Sequence, residues 1–197
     1  MAVRFALGDL TFEPGSQFDY SALNWVIVRA ILERVTGKPF AALMRELVIK
    51  PAGSKGIGIA ANGFGNVYGL APAYRSTNPP IRKNDPVPAF AAASGSFYAN
   101  TSELIMAAHR IFGSRLLSAA SRRALLAVRV PEEDYALGGR VRVVNGRAWA
   151  WETGKVGGYR THLAHDVKGD RSIAVLGNTD MAQSTISTLV DKLIQTA

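Results

Sequence analysis

The chain has 197 residues, with 23 lysines and arginines against 15 aspartates and glutamates, which gives a formal charge of +8. Its 48% of hydrophobic and 19% of charged residues are typical of a folded protein and exclude a disordered chain. The absence of cysteine excludes disulfides, thiolate metal sites and cysteine nucleophiles, and no apolar stretch reaches the roughly 18 residues of a membrane-spanning helix.

The N-terminal region is predicted to contain a loop followed by a helix. The first ten residues lack the long apolar core of an export signal, so no export signal is expected in this sequence and its compartment stays open. A largely buried helix is predicted over 21–36. Asp19 or Ser21 can cap its N-terminus, and Gly37 lies where a left-handed C-terminal residue is favoured.

A second helix and a long irregular segment are expected next. Pro39 suits the first position of a helix and Pro51 ends one, which predicts a helix over 39–49. Residues 52–92 are rich in glycine and proline and only weakly periodic. They are therefore predicted to form a long excursion that contains short pieces of regular structure.

Two more helices precede the strands. One is predicted over 101–113, with Thr101 or Ser102 as its N-cap, and another over 118–127. Together with the irregular segment, these helices make up the first predicted part of the chain, a helical lobe over 1–130.

The strands are predicted after residue 130, where the hydrophobic period changes from 3.6 to 2. Arg140–Val144 and Arg147–Trp151 alternate on either side of Asn145-Gly146, the strongest two-residue signal for a hairpin turn. Later elements are expected at 159–165 (strand), 168–170 (turn), 172–176 (strand) and 181–196 (helix). The second predicted part, residues 131–197, is thus an antiparallel meander of three or four strands with a C-terminal helix packed on it, and the fold class is α+β.

Charged and aromatic residues of this region have ordinary structural interpretations. Eight arginines between Arg110 and Arg147 form neither a run of five nor an aromatic-interleaved RNA motif, so no nucleic-acid partner is expected. His162 and His165 are three apart on a strand and should face opposite ways, which predicts no metal site. Trp149 and Trp151 share one face of their strand and are interpreted as packing residues. The alternative for such an aromatic pair is a ligand platform.

Three stretches, in this order, resemble one family. They are Phe12–Ser21 followed by Ile31–Gly37, then Ser94–Leu104, then Trp151–Arg160 followed by Ala174–Asn178. They are similar to the PGxxFxYS…TG, GG…ST…DL and KTG or H(T/S)G…GY stretches of the serine β-lactamase-like family. That family includes class C β-lactamases, D-alanyl-D-alanine carboxypeptidases and related esterases. The resemblance implies a partial β-lactamase/transpeptidase-like fold.

The resemblance also implies a chemistry and a set of site residues. The family transfers acyl groups through the serine of a Ser-x-x-Lys motif, with a tyrosine that moves a proton and a strand cation that binds the substrate carboxylate. It implies Tyr20 as the general base and the Lys155 backbone N–H as an oxyanion donor. The implied substrate-binding residues are Asn24, Glu152, Thr153 and Gly154. Neither a cofactor nor a metal is implied.

The sequence departs from the family pattern at three points. Ala22 replaces the motif asparagine, for which Asn24, one helical turn beyond Tyr20, is a candidate substitute. Glu152 stands where the family has a cation, so it should repel a substrate carboxylate and raise the pKa of a nearby tyrosine. No serine has a lysine three residues later, and only nineteen residues precede Tyr20.

These departures lead to two hypotheses about function. In the first, the chain corresponds to the C-terminal part of a serine hydrolase that acts on β-lactams, esters or amides, and is inactive alone because the nucleophile motif is absent. An open sheet edge and an apolar face then predict a homo-oligomer or a partner chain that supplies the N-terminal part. In the second, it is a non-catalytic binding or assembly module, and Tyr20 is a plain loop aromatic. Relatives are commonly periplasmic or secreted.

Overall fold

The computed structural model describes residues 8–60, 63–85, 91–113, 116–169 and 171–196. Its α-helices are α1 (Ala22–Thr36), α2 (Phe40–Met44), α3 (Ala92–Gly95), α4 (Thr101–Ala108), α5 (Ala119–Leu126) and α6 (Gln183–Gln195). Its strands are β1 (Gly58–Ile59), β2 (Tyr74–Thr77), β3 (Pro80–Arg82), β4 (Phe97–Tyr98), β5 (Arg140–Val144), β6 (Arg147–Val156), β7 (Tyr159–Asp166) and β8 (Ser172–Gly177). Helices followed by an antiparallel sheet and a last helix confirm the predicted α+β class.

The main sheet is an antiparallel meander of four strands in the order β5-β6-β7-β8. Asn145 (φ 51°) and Gly146 (φ 73°) form the predicted two-residue turn between β5 and β6. This turn fixes the register in which Arg140 lies opposite Trp151. Two short sheets, β1-β4 and β2-β3, lie earlier in the chain, and three of their strands are the short regular pieces predicted within 52–92.

Helix α6 covers one face of the main sheet, which we name the α6 face. Ile186, Val190 and Ile194 recur every four residues along α6, and each is at most 3% exposed. They pack on Trp149, which is 1% exposed, and on Ala164. The partly buried residues around this cluster are Val144, Trp151, Ile173 and Val175. The two tryptophans of β6 therefore pack within the sheet, as interpreted from the sequence.

The helices pack on the opposite face, which we name the lobe face. Helix α4 contacts β7 and β8, and α3 contacts β6. His165 lies on this face, stacked on the Phe112 ring with 5.5 Å between centroids. His162 lies on the α6 face, 3.2 Å from the Ser187 Oγ. The two histidines therefore face opposite ways, as predicted from their spacing.

Helix α1 has the ends that the sequence predicts, but the prediction that it is largely buried was wrong, because Val26 is the only buried residue among the described residues of this helix. The Ser21 Oγ accepts a hydrogen bond from the Leu23 N–H at 3.2 Å, so the structure selects Ser21 of the two candidate caps. Gly37 adopts the left-handed conformation with φ 66°, and its N–H donates to the Glu33 carbonyl. Both ends are decided by local chemistry, which is why sequence alone predicts them.

Other helix ends differ from the prediction. The cap of α4 is neither Thr101 nor Ser102 but Asn100, whose Oδ1 accepts a hydrogen bond from the Glu103 N–H at 2.9 Å. This prediction was wrong because an asparagine in extended backbone before the first helical residue reaches that N–H itself. A π-helical segment follows each of two helices. Arg45–Ile49 extends α2 to the predicted end at residue 49, and His109–Gly113 extends α4 to the predicted end at residue 113. The predicted turn residue Asp170 lies outside the described residues.

The end of the sheet is joined to the irregular segment by charged groups. The Asp180 carboxylate accepts hydrogen bonds from Lys83 at 2.6 Å and from Arg160 at 3.0 Å. Arg160 is 6% exposed and also donates to the Met181 carbonyl. This network fixes β3 and the segment after it beside the loop between β8 and α6. Among the described helices, none is long and apolar enough to cross a membrane.

Candidate active site

Tyr20 lies just before α1 and is tied to the segment that precedes β5. Its hydroxyl oxygen accepts a hydrogen bond from the Trp25 Nε1–H at 3.3 Å, and the residue is 50% exposed. The Trp25 ring packs against Gly138, where a Cβ would stand 2.8 Å from the Trp25 Cη2 atom. Gly138 also has a positive φ of 86°, which favours glycine. The start of α1 can therefore approach the chain that leads into β5.

Tyr135 connects Tyr20 with the sheet. Its ring meets the Tyr20 ring edge-on, with 6.2 Å between centroids, and the Phe18 ring lies 4.8 Å away. The Arg140 guanidinium lies 5.3 Å from the centroid of the Tyr135 ring. Burial raises the pKa of Tyr135, and the charges of Tyr20 and Glu152 raise it further. Tyr135 is thus within electrostatic reach of both predicted site residues.

Glu152 is held at the edge of β6 by two hydrogen bonds. Its Cα partner on β7 is Leu163, so its Cβ lies on the lobe face, and its carboxylate turns back toward the strand edge. The Oε1 atom accepts from the Arg140 Nη1–H at 2.8 Å and from the Thr153 N–H at 3.0 Å. Burial raises the pKa of Glu152 above its ordinary value, although these two hydrogen bonds and the charge of Arg140 act in the opposite direction.

Arg140 therefore stands at the centre of a group that we name the aromatic–charge cluster: Tyr20, Tyr135, Arg140 and Glu152. The guanidinium lies 5.3 Å from the centroid of the Trp151 ring, on the α6 face, while it pairs with Glu152. Because Arg140 is the first residue of β5, its side chain can pass around the end of that strand. The cluster brings Tyr20 and Glu152 into one continuous set of contacts.

The missing side chain at position 154 is matched by a side chain of the neighbouring strand, which fills the space beside it. Gly154 of β6 lies opposite Thr161 of β7, and a Cβ at position 154 would collide with the Thr161 Oγ1 atom. Side chains alternate along a strand, so those of Thr153 and Lys155 lie on the α6 face. Lys155 itself is exposed. The structure thus separates the side chains of Glu152 and Thr153 onto opposite faces of β6.

The backbone N–H groups of β6 also alternate in direction, toward β7 at one residue and away from it at the next. Gly157 and Gly158 both have positive φ, 52° and 86°, and form a two-residue turn in which Val156 and Tyr159 are the hydrogen-bonded pair. The N–H groups of Lys155 and Thr153 then point away from β7, and the hydrogen bond from the Thr153 N–H to Glu152 agrees with this direction. Since β5 pairs with β6 only as far as Trp151, the Lys155 N–H lies beyond the end of β5.

Asn24, the last of the predicted site residues, and two surface grooves lie outside the aromatic–charge cluster. Asn24 lies in the first turn of α1 with its side chain exposed, and its N–H donates to the Ser21 carbonyl at 3.1 Å. One groove is lined by residues within 46–51, 110–113 and 116–122, and another lies beside Lys83 and Tyr159. Neither groove includes the aromatic–charge cluster, in which Tyr20 is exposed and Tyr135, Arg140 and Glu152 are partly buried. The described residues contain no group of three or more histidines, aspartates and glutamates able to hold a metal ion.

Two members of the cluster, Tyr135 and Arg140, were not among the predicted site residues. A signal for Arg140 does exist in the sequence, because a two-residue turn at Asn145-Gly146 sets Arg140 opposite Trp151, next to Glu152. For Tyr135 there is no comparable signal, since its position depends on a bridge between an irregular segment and β5.

Comparisons with known proteins agree with this architecture. The family model described as beta-lactamase matches residues 4–187. A search of the curated proteins found no match. A solved D-stereospecific amidohydrolase from Streptomyces sp. is 23% identical with a TM-score of 0.78, over 90% of this chain and 55% of that chain. A penicillin binding protein from Bacillus halodurans is 18% identical with a TM-score of 0.79, over 94% and 59%.

A third similar structure is an octameric penicillin-binding protein homologue from Pyrococcus abyssi. It is 18% identical with a TM-score of 0.76, over 93% of this chain and 44% of that chain. The chain thus spans about half the length of these solved structures, and at such identities they establish the serine hydrolase-type fold alone. The family model covers most of the sequence, including the Tyr20 stretch and the β6 strand, and on this evidence the chain belongs to the beta-lactamase family.

Proposed function

We propose that this chain corresponds to the C-terminal part of a serine hydrolase that transfers acyl groups from amide or ester substrates. The observation that carries the proposal is the aromatic–charge cluster, in which Tyr20 is linked to β6 through Tyr135 and Arg140. A proton-transferring tyrosine and an oxyanion donor need to face one substrate, and this linkage supports such an arrangement.

Each residue then has a definite role. The Tyr20 hydroxyl would take the proton from the attacking serine, and the Lys155 N–H would donate to the developing oxyanion. The β6 backbone at Thr153 and Gly154 would lie along the bound substrate, and Asn24 would contact it from the start of α1. The attacking serine is not in this sequence, because none of its serines has a lysine three residues later. The chain alone is therefore proposed to be inactive.

The absence of acyl transfer by this chain is the first testable prediction. The chain is incubated with a fluorescent penicillin and with an activated ester, and its intact mass is measured. We expect no adduct, since no activated serine is present, while a penicillin-binding protein carried through the same procedure is labelled. Where the DNA upstream of Met1 encodes a Ser-x-x-Lys segment, co-expression of that segment is expected to give labelling on its serine. A stable acyl adduct on this chain contradicts the proposal.

A second candidate function is a non-catalytic binding or assembly module. It is favoured by Glu152 and Ala22, because two family site positions differ even in the part that is present. The Glu152–Arg140 ion pair at 2.8 Å also occupies the region where a substrate carboxylate would bind in the family. Changing Glu152→Lys and Ala22→Asn in a complete, assembled protein separates the two functions. Increased hydrolysis supports the enzyme, and unchanged hydrolysis supports the module.

Association through α1 is the second testable prediction. One side of α1 carries exposed apolar residues beside Tyr20, with 40–78% of each residue exposed: Leu23, Val28, Ile31 and Val35. An apolar stripe of this kind is normally buried against another surface. This supports a second copy of the chain, or a partner chain, as the occupant of this side of α1. We expect light scattering to give a mass above 21.1 kDa at micromolar concentrations.

The control for this prediction is a substitution on another exposed apolar residue. Ile31→Asp with Val35→Asp should reduce the mass to that of one chain, since two charges would be buried in the contact. Val143→Asp, on the 72% exposed Val143 of β5, should leave the mass unchanged. A wild-type chain that stays at 21.1 kDa contradicts the prediction.

A further inference from the structure

The two oxygens of the Glu152 carboxylate have different surroundings. Within the part of the chain that the structure describes, both hydrogen bonds that the carboxylate accepts end on Oε1, from Arg140 and from the Thr153 N–H. The side chain is 43% exposed. An ionised carboxylate can accept about four hydrogen bonds, so Oε2 has free capacity toward solvent.

Arg140 is the less accessible partner of this ion pair. Its side chain is 19% exposed, and its guanidinium lies 5.3 Å from the centroids of both the Tyr135 and the Trp151 rings. One of its N–H groups is used by Glu152. A ligand that arrives from solvent therefore meets the carboxylate before it meets the cation.

The geometry points to an amine-bearing substrate, an inference that rests on the proposed function and specifies its substrate class. We propose that Glu152 Oε2 accepts a hydrogen bond from the ammonium group of an amide or ester substrate. An ammonium has three donors and the opposite charge, whereas a substrate carboxylate offers no donor and is repelled. The Lys155 N–H lies two residues further along β6 than the Thr153 N–H, about 7 Å away, within the length of a small amino-acid amide or ester.

The aromatic rings beside Glu152 add a second requirement. Tyr20 is 50% exposed and Phe18 36% exposed, and both rings contact Tyr135. An aromatic side chain on the ligand would bury apolar surface there while its ammonium reaches Glu152. Phenylalaninamide combines both features and is therefore the probe of choice.

The experiment compares three ligands that differ in charge. Phenylalaninamide is a cation, N-acetylphenylalanine an anion and N-acetylphenylalaninamide neutral. Each is titrated into the ¹⁵N-labelled 197-residue chain at pH 7, and the Thr153 amide resonance is followed, because that N–H donates to Glu152. We expect the cation to bind about tenfold more tightly than the anion, as for one charge-assisted hydrogen bond.

Two variants test whether Glu152 causes the preference for the cationic ligand. Glu152→Gln keeps the size of the side chain and an oxygen for Arg140 but removes the charge, so the preference for the cation should disappear. Glu46→Gln is the matched control, since Glu46 belongs to an exposed ion pair with Lys38 outside the cluster. That variant should keep the tenfold preference. Retention of the preference in Glu152→Gln overturns the inference.

The outcomes also separate this inference from the proposed function. If the three ligands shift the Thr153 resonance with equal affinity, the site binds amides without selecting an ammonium, and only the inference is overturned. Tighter binding of N-acetylphenylalanine overturns it in the same way. If none of the three ligands binds, the inference is overturned, while the proposed function is tested separately by the acylation experiment with the co-expressed serine segment.

Discussion

Replacing Trp149 by alanine is expected to lower the free energy of unfolding by about 3–5 kcal/mol. Trp149 is 1% exposed and lies under α6, where Ile186 and Val190 pack on it. Removing the indole leaves a cavity that the strand and the helix can only partly close. Urea denaturation at pH 7, followed by circular dichroism, measures the loss. The effect concerns function as well, because Trp149 belongs to the strand that carries Glu152 and Gly154.

Two comparison variants make this prediction specific. Val143→Ala, on a residue that is 72% exposed, should change the free energy of unfolding by less than about 0.5 kcal/mol. Trp149→Phe should cost less than Trp149→Ala, since the Trp149 Nε1–H is buried with no hydrogen-bond partner among the described residues. A loss below about 1 kcal/mol for Trp149→Ala would contradict the packing described here.

Asp166→Asn is expected to have the second largest effect, a loss of about 1–3 kcal/mol at pH 7. The Asp166 side chain is 1% exposed and accepts hydrogen bonds from Arg147 at 2.6 Å and from the Lys168 N–H at 3.1 Å. Burial by itself would raise the pKa of Asp166, but hydrogen bonds from Arg147 and from the Lys168 and Gly169 N–H groups outweigh it and lower the pKa. The ionised carboxylate therefore stabilises the turn between β7 and β8.

The sign of the pH dependence follows from the lowered pKa. The stabilisation is fully present above the ordinary aspartate value near 3.8, and it is lost as the pH falls through the lower value of the folded protein. The difference between wild type and Asp166→Asn should thus shrink below about pH 4. Urea denaturation at neutral and acidic pH tests this. Asp191→Asn is the control, because its partner is also an arginine but its side chain is 41% exposed. If Asp166→Asn lowers the free energy of unfolding by the same amount at all pH values, the lowered pKa of Asp166 is contradicted.

The proposed function and the substrate inference depend on different atoms. Acyl transfer requires a serine supplied from outside this sequence, whereas the charge preference requires only the Glu152 carboxylate and its neighbours. Binding can therefore be measured on the chain as it is, without catalysis. A chain that binds phenylalaninamide through Glu152 and is not acylated agrees with both proposals.

Elements with a local cause could be predicted from the amino-acid sequence. The Ser21 cap, the Gly37 end of α1 and the Asn145-Gly146 hairpin follow from backbone conformations that these residues favour. The alternation along β6 likewise predicted that Trp149 and Trp151 pack together and that neighbouring side chains face opposite ways. The order of the family-like stretches also identified the fold, because such stretches follow the chain.

The surroundings of Glu152, in contrast, could not be predicted, because they depend on how distant parts of the chain pack together. Tyr135 and Arg140 come between Tyr20 and Glu152, and the contact between Tyr20 and Tyr135 joins residues more than one hundred positions apart. The carboxylate turns to the strand edge because the Thr153 N–H and the Arg140 guanidinium meet it there, a geometry set by strand register and the end of β5. Charge at a position can be read from the sequence, but the group that neutralises it depends on packing between distant elements.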